Sequence, residues 1–180
     1  MKKMAKTSKL TTYLAGPMEG VSANNAIEWR DRILPKLMEY FGDNIDIVDP
    51  CKTEGSKLEG LIDEGTDLKD SKKIMKGWKD TGKWNCFDKA MKKIRQEDLH
   101  AVYNSDFIIF YLDSNVIMGG TVSELEHAYD WGIPIYAVIN EVSKLNSWVL
   151  GTVRQGGTYY PNFSQLLDAV CEDFKEFKKK

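Results

Sequence analysis

A chain of 180 residues is long enough for one domain with a sizeable core and cramped for two, so a single domain over residues 1–180 is expected. Its apolar content of 42% is ordinary for a globular protein, and no stretch approaches the roughly 20 apolar residues that span a bilayer. With 25 basic against 27 acidic residues the net charge is -2, which provides no global field for nucleic acid and points away from it as a partner. Three scattered cysteines, Cys51, Cys86 and Cys171, form no CxxC and suit reduced thiols in a cytosol. Residues 1–9 are basic but lack the apolar core of a secretory signal, so a cytoplasmic protein is expected.

In chain order, residues 11–15 form a short β-prone run that stops at Gly16-Pro17. Ser22 can cap the helix that follows, in which Ala26, Trp29, Ile33, Leu37 and Phe41 recur every three or four residues around an internal Pro35. Residues 45–48 read as a second strand, ended by Asp49-Pro50. Residues 51–80 are rich in Gly, Lys, Asp and Glu with weak periodicity, and read as a long mobile insertion that can hold a short helix. Helical spacing returns from 83 to 104 through Phe87, Met91, Ile94, Leu99 and Val102. Residues 107–112, FIIFYL, are continuously apolar, as expected for a central strand buried on both faces. A loop leads into a helix from 122 to about 131, ended by Gly132, and residues 133–139 form another buried strand. The remainder holds Trp148, a short strand at 158–160 and a helix from 162 to about 177. Alternating buried strands and amphipathic helices predict a doubly wound parallel α/β sheet of about five strands, flavodoxin- or Rossmann-like. Ligands of such sheets bind at the carboxyl ends of the strands, which directs attention to residues 16–21, 49–50, 113–124 and 140 onward.

Chemistry-bearing residues gather in those segments. Thr121 and Glu124 have the spacing of a capping box, with Thr121 as cap and Glu124 reaching back to its amide. In the functional reading Glu124 is an ionised nucleophile in the first helical turn, favoured by the helix dipole, while Gly119 and Gly120 let a substrate ring approach the backbone. Asp98, Asp106 and Asp113 surround the central strand and could converge with Glu124. Glycosidic chemistry needs such a set, one carboxylate to attack or stabilise an oxocarbenium-like centre and another group to protonate the leaving group. Each is also an ordinary surface or turn aspartate. Gly16 and Pro17 turn the chain out of the first strand, and the Gly16 backbone could contact a base or sugar. The chain has no GxGxxG or GxxxxGK[ST] phosphate loop. His100 and His127 are the only histidines, and with no cysteine cluster neither a metal nor an organic cofactor is expected. Trp78 and Trp84, in or beside the polar insertion, could stack on a base as part of a lid.

The combination of YLAGPM after the first strand, Asp-Pro after the second and DFIIFYLD…GGTVSELEHA resembles the nucleoside deoxyribosyltransferase superfamily over about residues 11–140. That group includes deoxynucleoside monophosphate N-glycosidases and many phage-encoded relatives. The resemblance implies that Glu124 is the catalytic nucleophile and that Asp98, ending the helix before the central strand, protonates the departing base. It implies substrate contacts from Tyr13, Gly16, Pro17, Met18, Asp49, Asp113, Gly119 and Gly120, and from Asn146 of a neighbouring subunit in a homo-oligomer. Two positions depart from the family pattern. Glu126 replaces the usual glycine after Glu-Leu, and Met118 stands where monophosphate hydrolases carry a phosphate-binding serine, which favours a nucleoside unless Ser114 or Ser123 compensates.

The expected activity is cleavage of a 2-deoxynucleoside through a covalent deoxyribosyl-glutamate, with transfer to a second, free base. Hydrolysis of a deoxynucleoside 5′-monophosphate is one alternative. A non-catalytic nucleotide-binding module on the same fold is the other.

Overall fold

The computed structural model describes residues 9–52, 58, 60–63 and 66–179. Five parallel strands make one sheet: β1 (Leu10–Ala15), β2 (Ile45–Val48), β3 (Phe107–Leu112), β4 (Ile135–Ile139) and β5 (Gly157–Tyr160). Their order is β2-β1-β3-β4-β5, the flavodoxin-like arrangement in which the chain reverses its direction of growth between β1 and β3. Among the described residues the helices that flank the sheet include α1 (Ala23–Phe41), α2 (Leu68–Asp80), α3 (Trp84–Asn104), α4 (Gly119–Asp130), α5 (Ser147–Gly156) and α6 (Phe163–Asp173).

Side-chain alternation along the strands builds two cores. Leu10, Leu14, Phe107, Ile109, Tyr136 and Val138 pack on one face with Trp29, Ile33, Leu37 and Phe41 of α1 and Leu166, Leu167 and Val170 of α6. Tyr13, Ala15, Ile108, Phe110, Leu112, Ile135, Ala137 and Ile139 pack on the other, with Val102 of α3, Leu125 and Ala128 of α4, and Val149 and Val153 of α5. The apolar stripe of α1 is buried as its spacing requires. Ser22 caps it, its side chain accepting from the Asn25 amide at 3.0 Å.

The structure departs from the sequence reading in four places. Residues 68–80 of the insertion form a regular 13-residue helix, started by Asp67 as N-cap. Helix α3 buries Ala90 and Val102 but leaves Met91 39% exposed, so its inward stripe is narrower than the spacing suggested. Residues 147–156, to which the sequence reading assigns no element, are helix α5. And α4 begins at Gly119, three residues before the expected start, with Met118 at its N-cap and no capping side chain. Its other end is as expected. Gly132, at φ 67, takes the left-handed turn after the helix and returns its N–H to the Tyr129 carbonyl at 3.0 Å.

Candidate active site

The switch point between β1 and β3 is where the candidate residues meet. Tyr13, one residue before the penultimate position of β1, is 1% exposed and points to the α3–α4 face. Its hydroxyl donates to Glu124 Oε1 at 2.8 Å. Asp98, six residues before the end of α3, lies within hydrogen-bonding reach of the same hydroxyl. Burial first, then the charges of Glu124 and Asp98, hold the Tyr13 hydroxyl well above the ordinary tyrosine range. It therefore stays protonated through the neutral range and acts as a donor. Three elements distant in sequence thus place two carboxyls on one phenol.

The early start of α4 corrects the capping box. Thr121 is a buried residue inside the first turn, not the cap, and Glu124 lies in the second turn, bonded to Tyr13. The dipole of the helix acts on Glu124 less strongly than on a first-turn carboxylate, because that effect fades beyond the first turn. Gly119 and Gly120 are exposed, and a Cβ at either would meet nothing within 4 Å. The backbone there is open to a ligand.

Other expected contacts are occupied elsewhere. Asp49 is 4% exposed, with Oδ1 3.2 Å from Arg30 Nε and accepting from the Cys51 amide at 3.0 Å. It is the partner of a buried cation. Gly16 and Pro17 are buried too. A Cβ on Gly16 would lie 2.9 Å from Trp29 Cζ2, and the Trp29 ring cannot yield, being stacked on Phe163 at 5.4 Å. Packing therefore demands the glycine at this position. Gly16→Ala should cost about 1–3 kcal/mol by overpacking, measurable as a lower denaturation midpoint at unchanged slope.

Met18 packs in part against a small cluster of Ala26, Cys51 and Leu68, and its carbonyl accepts from Lys72 of α2. Lys72 also donates to the Val21 carbonyl, and Lys79 pairs with Glu19 at 3.0 Å, so α2 is tied to the loop that leaves β1. Trp78 on α2 is half-buried and Trp84 is 55% exposed at the start of α3. Of the expected lid, residues 53–57, 59, 64 and 65 lie outside the described residues.

Asp113 Oδ1 accepts from the Asn115 amide at 3.0 Å and from Asn140 Nδ2 at 2.6 Å, while Ser114 bonds to Asn140 Oδ1 through its amide and hydroxyl. These bonds shape the loop between β3 and α4. Asp106 extends the sheet, Oδ2 accepting from the Thr11 amide at 2.8 Å. Asn146 is exposed and serves as N-cap of α5, its side chain accepting from the Trp148 amide at 2.9 Å. His127 bonds its Nδ1 to the Ser123 carbonyl and packs on Trp131. Glu126 accepts from the Thr152 hydroxyl at 2.9 Å, joining α4 to α5.

Sequence reasoning missed Arg30 and Asn140. Arg30 had a visible signal: it lies four residues after Ala26 and three before Ile33, squarely on the apolar stripe of α1. A charge there must be buried and paired. Asn140 stands at the marked end of a strand, but its partners become neighbours only when β3 and β4 pair.

No protein-family model and no curated protein matches the chain. Among solved structures it is similar to a conserved protein from Enterococcus faecalis V583, with a TM-score of 0.62 and 19% identity, covering 92% of this chain and 99% of that one. It is also similar to a 2-deoxyribosyltransferase from the psychrotolerant bacterium Bacillus psychrosaccharolyticus, with a TM-score of 0.58 and 15% identity, covering 94% of this chain and 97% of that one. At such identities the likeness is one of fold: the chain has a deoxyribosyltransferase-like α/β fold. Among the described residues no helix is long and apolar enough to cross a membrane.

Proposed function

We propose that this chain is a nucleoside 2-deoxyribosyltransferase-type enzyme, in which Glu124 attacks the anomeric carbon of a 2-deoxynucleoside. The observation that carries the reading is the Tyr13 hydroxyl, which donates to Glu124 at 2.8 Å and lies within reach of Asp98. Two carboxyls thus converge on one buried phenol, and glycosidic cleavage requires such a pair, one to attack the sugar and the other to give a proton to the departing base.

In the first step the Glu124 carboxylate oxygen bonds to the anomeric carbon as the C–N bond breaks. The bonding pair leaves with the base, which takes the proton from Asp98. The product is a deoxyribosyl ester of Glu124. In the second step a ring nitrogen of another base attacks the anomeric carbon, the ester bond breaks, and the proton lost by the incoming base returns to Asp98. The 2-deoxy sugar lowers the cost of the oxocarbenium-like transition state, having no electron-withdrawing hydroxyl beside the reacting carbon. Tyr13 holds the Glu124 oxygen in line, and the open backbone at Gly119 and Gly120 accommodates the sugar.

A nucleoside fits better than a 5′-monophosphate. Met118, where a phosphate-binding serine would be sought, is buried and its Sδ accepts from the Asp113 amide at 3.2 Å. The Ser114 hydroxyl is committed to Asn140. The same reading makes the protein a homo-oligomer. In it Asn146 and the 75% exposed Trp148 beside it face the neighbouring subunit.

The test is incubation with a panel of deoxynucleosides and their 5′-monophosphates, each with and without a free base. Base exchange from a nucleoside is expected. Release of base from monophosphates alone would favour the hydrolase, and no turnover of any substrate, with ligand binding retained, would leave a binding module.

A further inference from the structure

Arg30 is 0% exposed, and among the described residues it is the only basic side chain in the buried core. Taking a guanidinium out of water carries a large desolvation cost, which a single carboxylate offsets poorly. Arg30 has Asp49 at 3.2 Å and three backbone carbonyls besides. Ala26 accepts from Nη1, and Leu14 and Gly16 accept from Nη2 at 3.1 and 3.5 Å.

The location of those carbonyls matters. The register of β1 with β2 ends at Tyr13 and Val48, whereas with β3 it runs on to Ala15 and Phe110. Beyond Tyr13, β1 therefore has no strand on its β2 side. Carbonyls two residues apart point to the same side of a strand, so those of Leu14 and Gly16 emerge together into that gap. The guanidinium fills it and stands in for the missing strand. Asp49, the residue after β2, orients it from one end, and the Trp29 ring covers Gly16.

We infer that Arg30 is a positioning residue for the Tyr13–Glu124–Asp98 site. It fixes the backbone directly after Tyr13 and so sets the phenol hydroxyl at bonding distance from Glu124. This deepens the proposed function and rests on it for its kinetic part only. A core arginine is not required for stability as such, because well-packed apolar side chains often replace buried ion pairs without loss. What apolar side chains cannot do is hold two strand-end carbonyls in place.

The experiment uses the full chain and three variants. Arg30→Lys keeps the charge but lacks the planar fork that reaches several acceptors at once. Arg30→Met combined with Asp49→Leu removes the pair together, so that no buried charge is orphaned should the single variant not fold. Tyr13→Phe removes the group through which Arg30 acts and assigns the Tyr13 signal. The first readout is the ring-Cζ resonance of Tyr13 in protein labelled at tyrosine, which needs no substrate. The second is turnover of a deoxynucleoside with a free base.

Arg30→Lys and the double variant should each move the Tyr13 resonance while the protein stays folded. Each should lower kcat roughly 10- to 100-fold with KM changed less. In the Tyr13→Phe background Arg30→Lys should cost no more than about twofold further, since the two act along one path. An unmoved Tyr13 resonance in both folded variants overturns the inference, as does an equal kcat loss with and without Tyr13, the mark of a merely structural arginine. A wild-type protein that turns over nothing refutes the proposed function, and the resonance alone then decides the role of Arg30.

Discussion

Glu124→Ala should lose deoxyribosyl transfer by about 10⁴-fold or more, because nothing else in the site can form the ester with the sugar. The protein should remain folded. Were Glu124 part of a capping box, its loss would cost about 0.5–2 kcal/mol. Helix α4 starts at Gly119 without it, so that cost does not arise. What disappears is the acceptor of the Tyr13 proton, a bond worth about 1 kcal/mol. Removing one of two carboxyls crowded on one phenol works in the opposite direction, and Asp98 remains to take the proton. The melting temperature should thus change by only a few degrees while kcat collapses. Two measurements check this, a thermal melt and a single-turnover assay. Incubation of wild-type protein with donor and no acceptor, followed by acid quench and mass spectrometry, should find a deoxyribosyl group on the peptide that contains Glu124. Near-normal turnover by the alanine variant would remove Glu124 from the mechanism.

How far the site could be read from the chain depends on the range of the interaction. The apolar stripe of α1, the doubly buried β3 and the glycine stop after α4 are local patterns, and the structure has them where the residues put them. Helix α5 was hidden because SWVLGTVRQG mixes two glycines with β-branched residues, all weak helix formers. Only packing of Val149, Thr152 and Val153 against the sheet and α4 decides the matter. The start of α4 was misplaced for a related reason. Two glycines argue against helix locally, yet Gly119 and Gly120 form its first turn, where exposure makes them tolerable. Glu124 and Asp98 were visible as acids at the right edge of the sheet. That they share one hydroxyl was not, because Tyr13 lies 111 residues from Glu124. The same limit applies to Asp49. On paper it is an acid after a strand, and its burial goes with Arg30, which α1 supplies. The Glu126 departure likewise becomes intelligible only when the Thr152 hydroxyl arrives from α5 to donate to it.

Asp98→Asn should separate the role of acid from that of scaffold. An amide has nearly the shape of a carboxyl, and its NH₂ can still donate to the Tyr13 oxygen, so the contact with Tyr13 survives and stability should change by about 0.5 kcal/mol at most. What the amide lacks is a proton to give. A deoxynucleoside whose base is a poor leaving group needs that proton in the transition state and should lose roughly 10²–10⁴-fold in kcat/KM. A donor with a leaving group stable as an anion needs little protonation and should lose far less, because Glu124 and Tyr13 are untouched. The effect should therefore depend on the donor, and comparison of two donors on the same variant cancels any change in folded fraction. Equal losses for both donors would make Asp98 a binding or structural residue. No loss for either would make it a bystander, and the base would then take its proton from another group or from solvent.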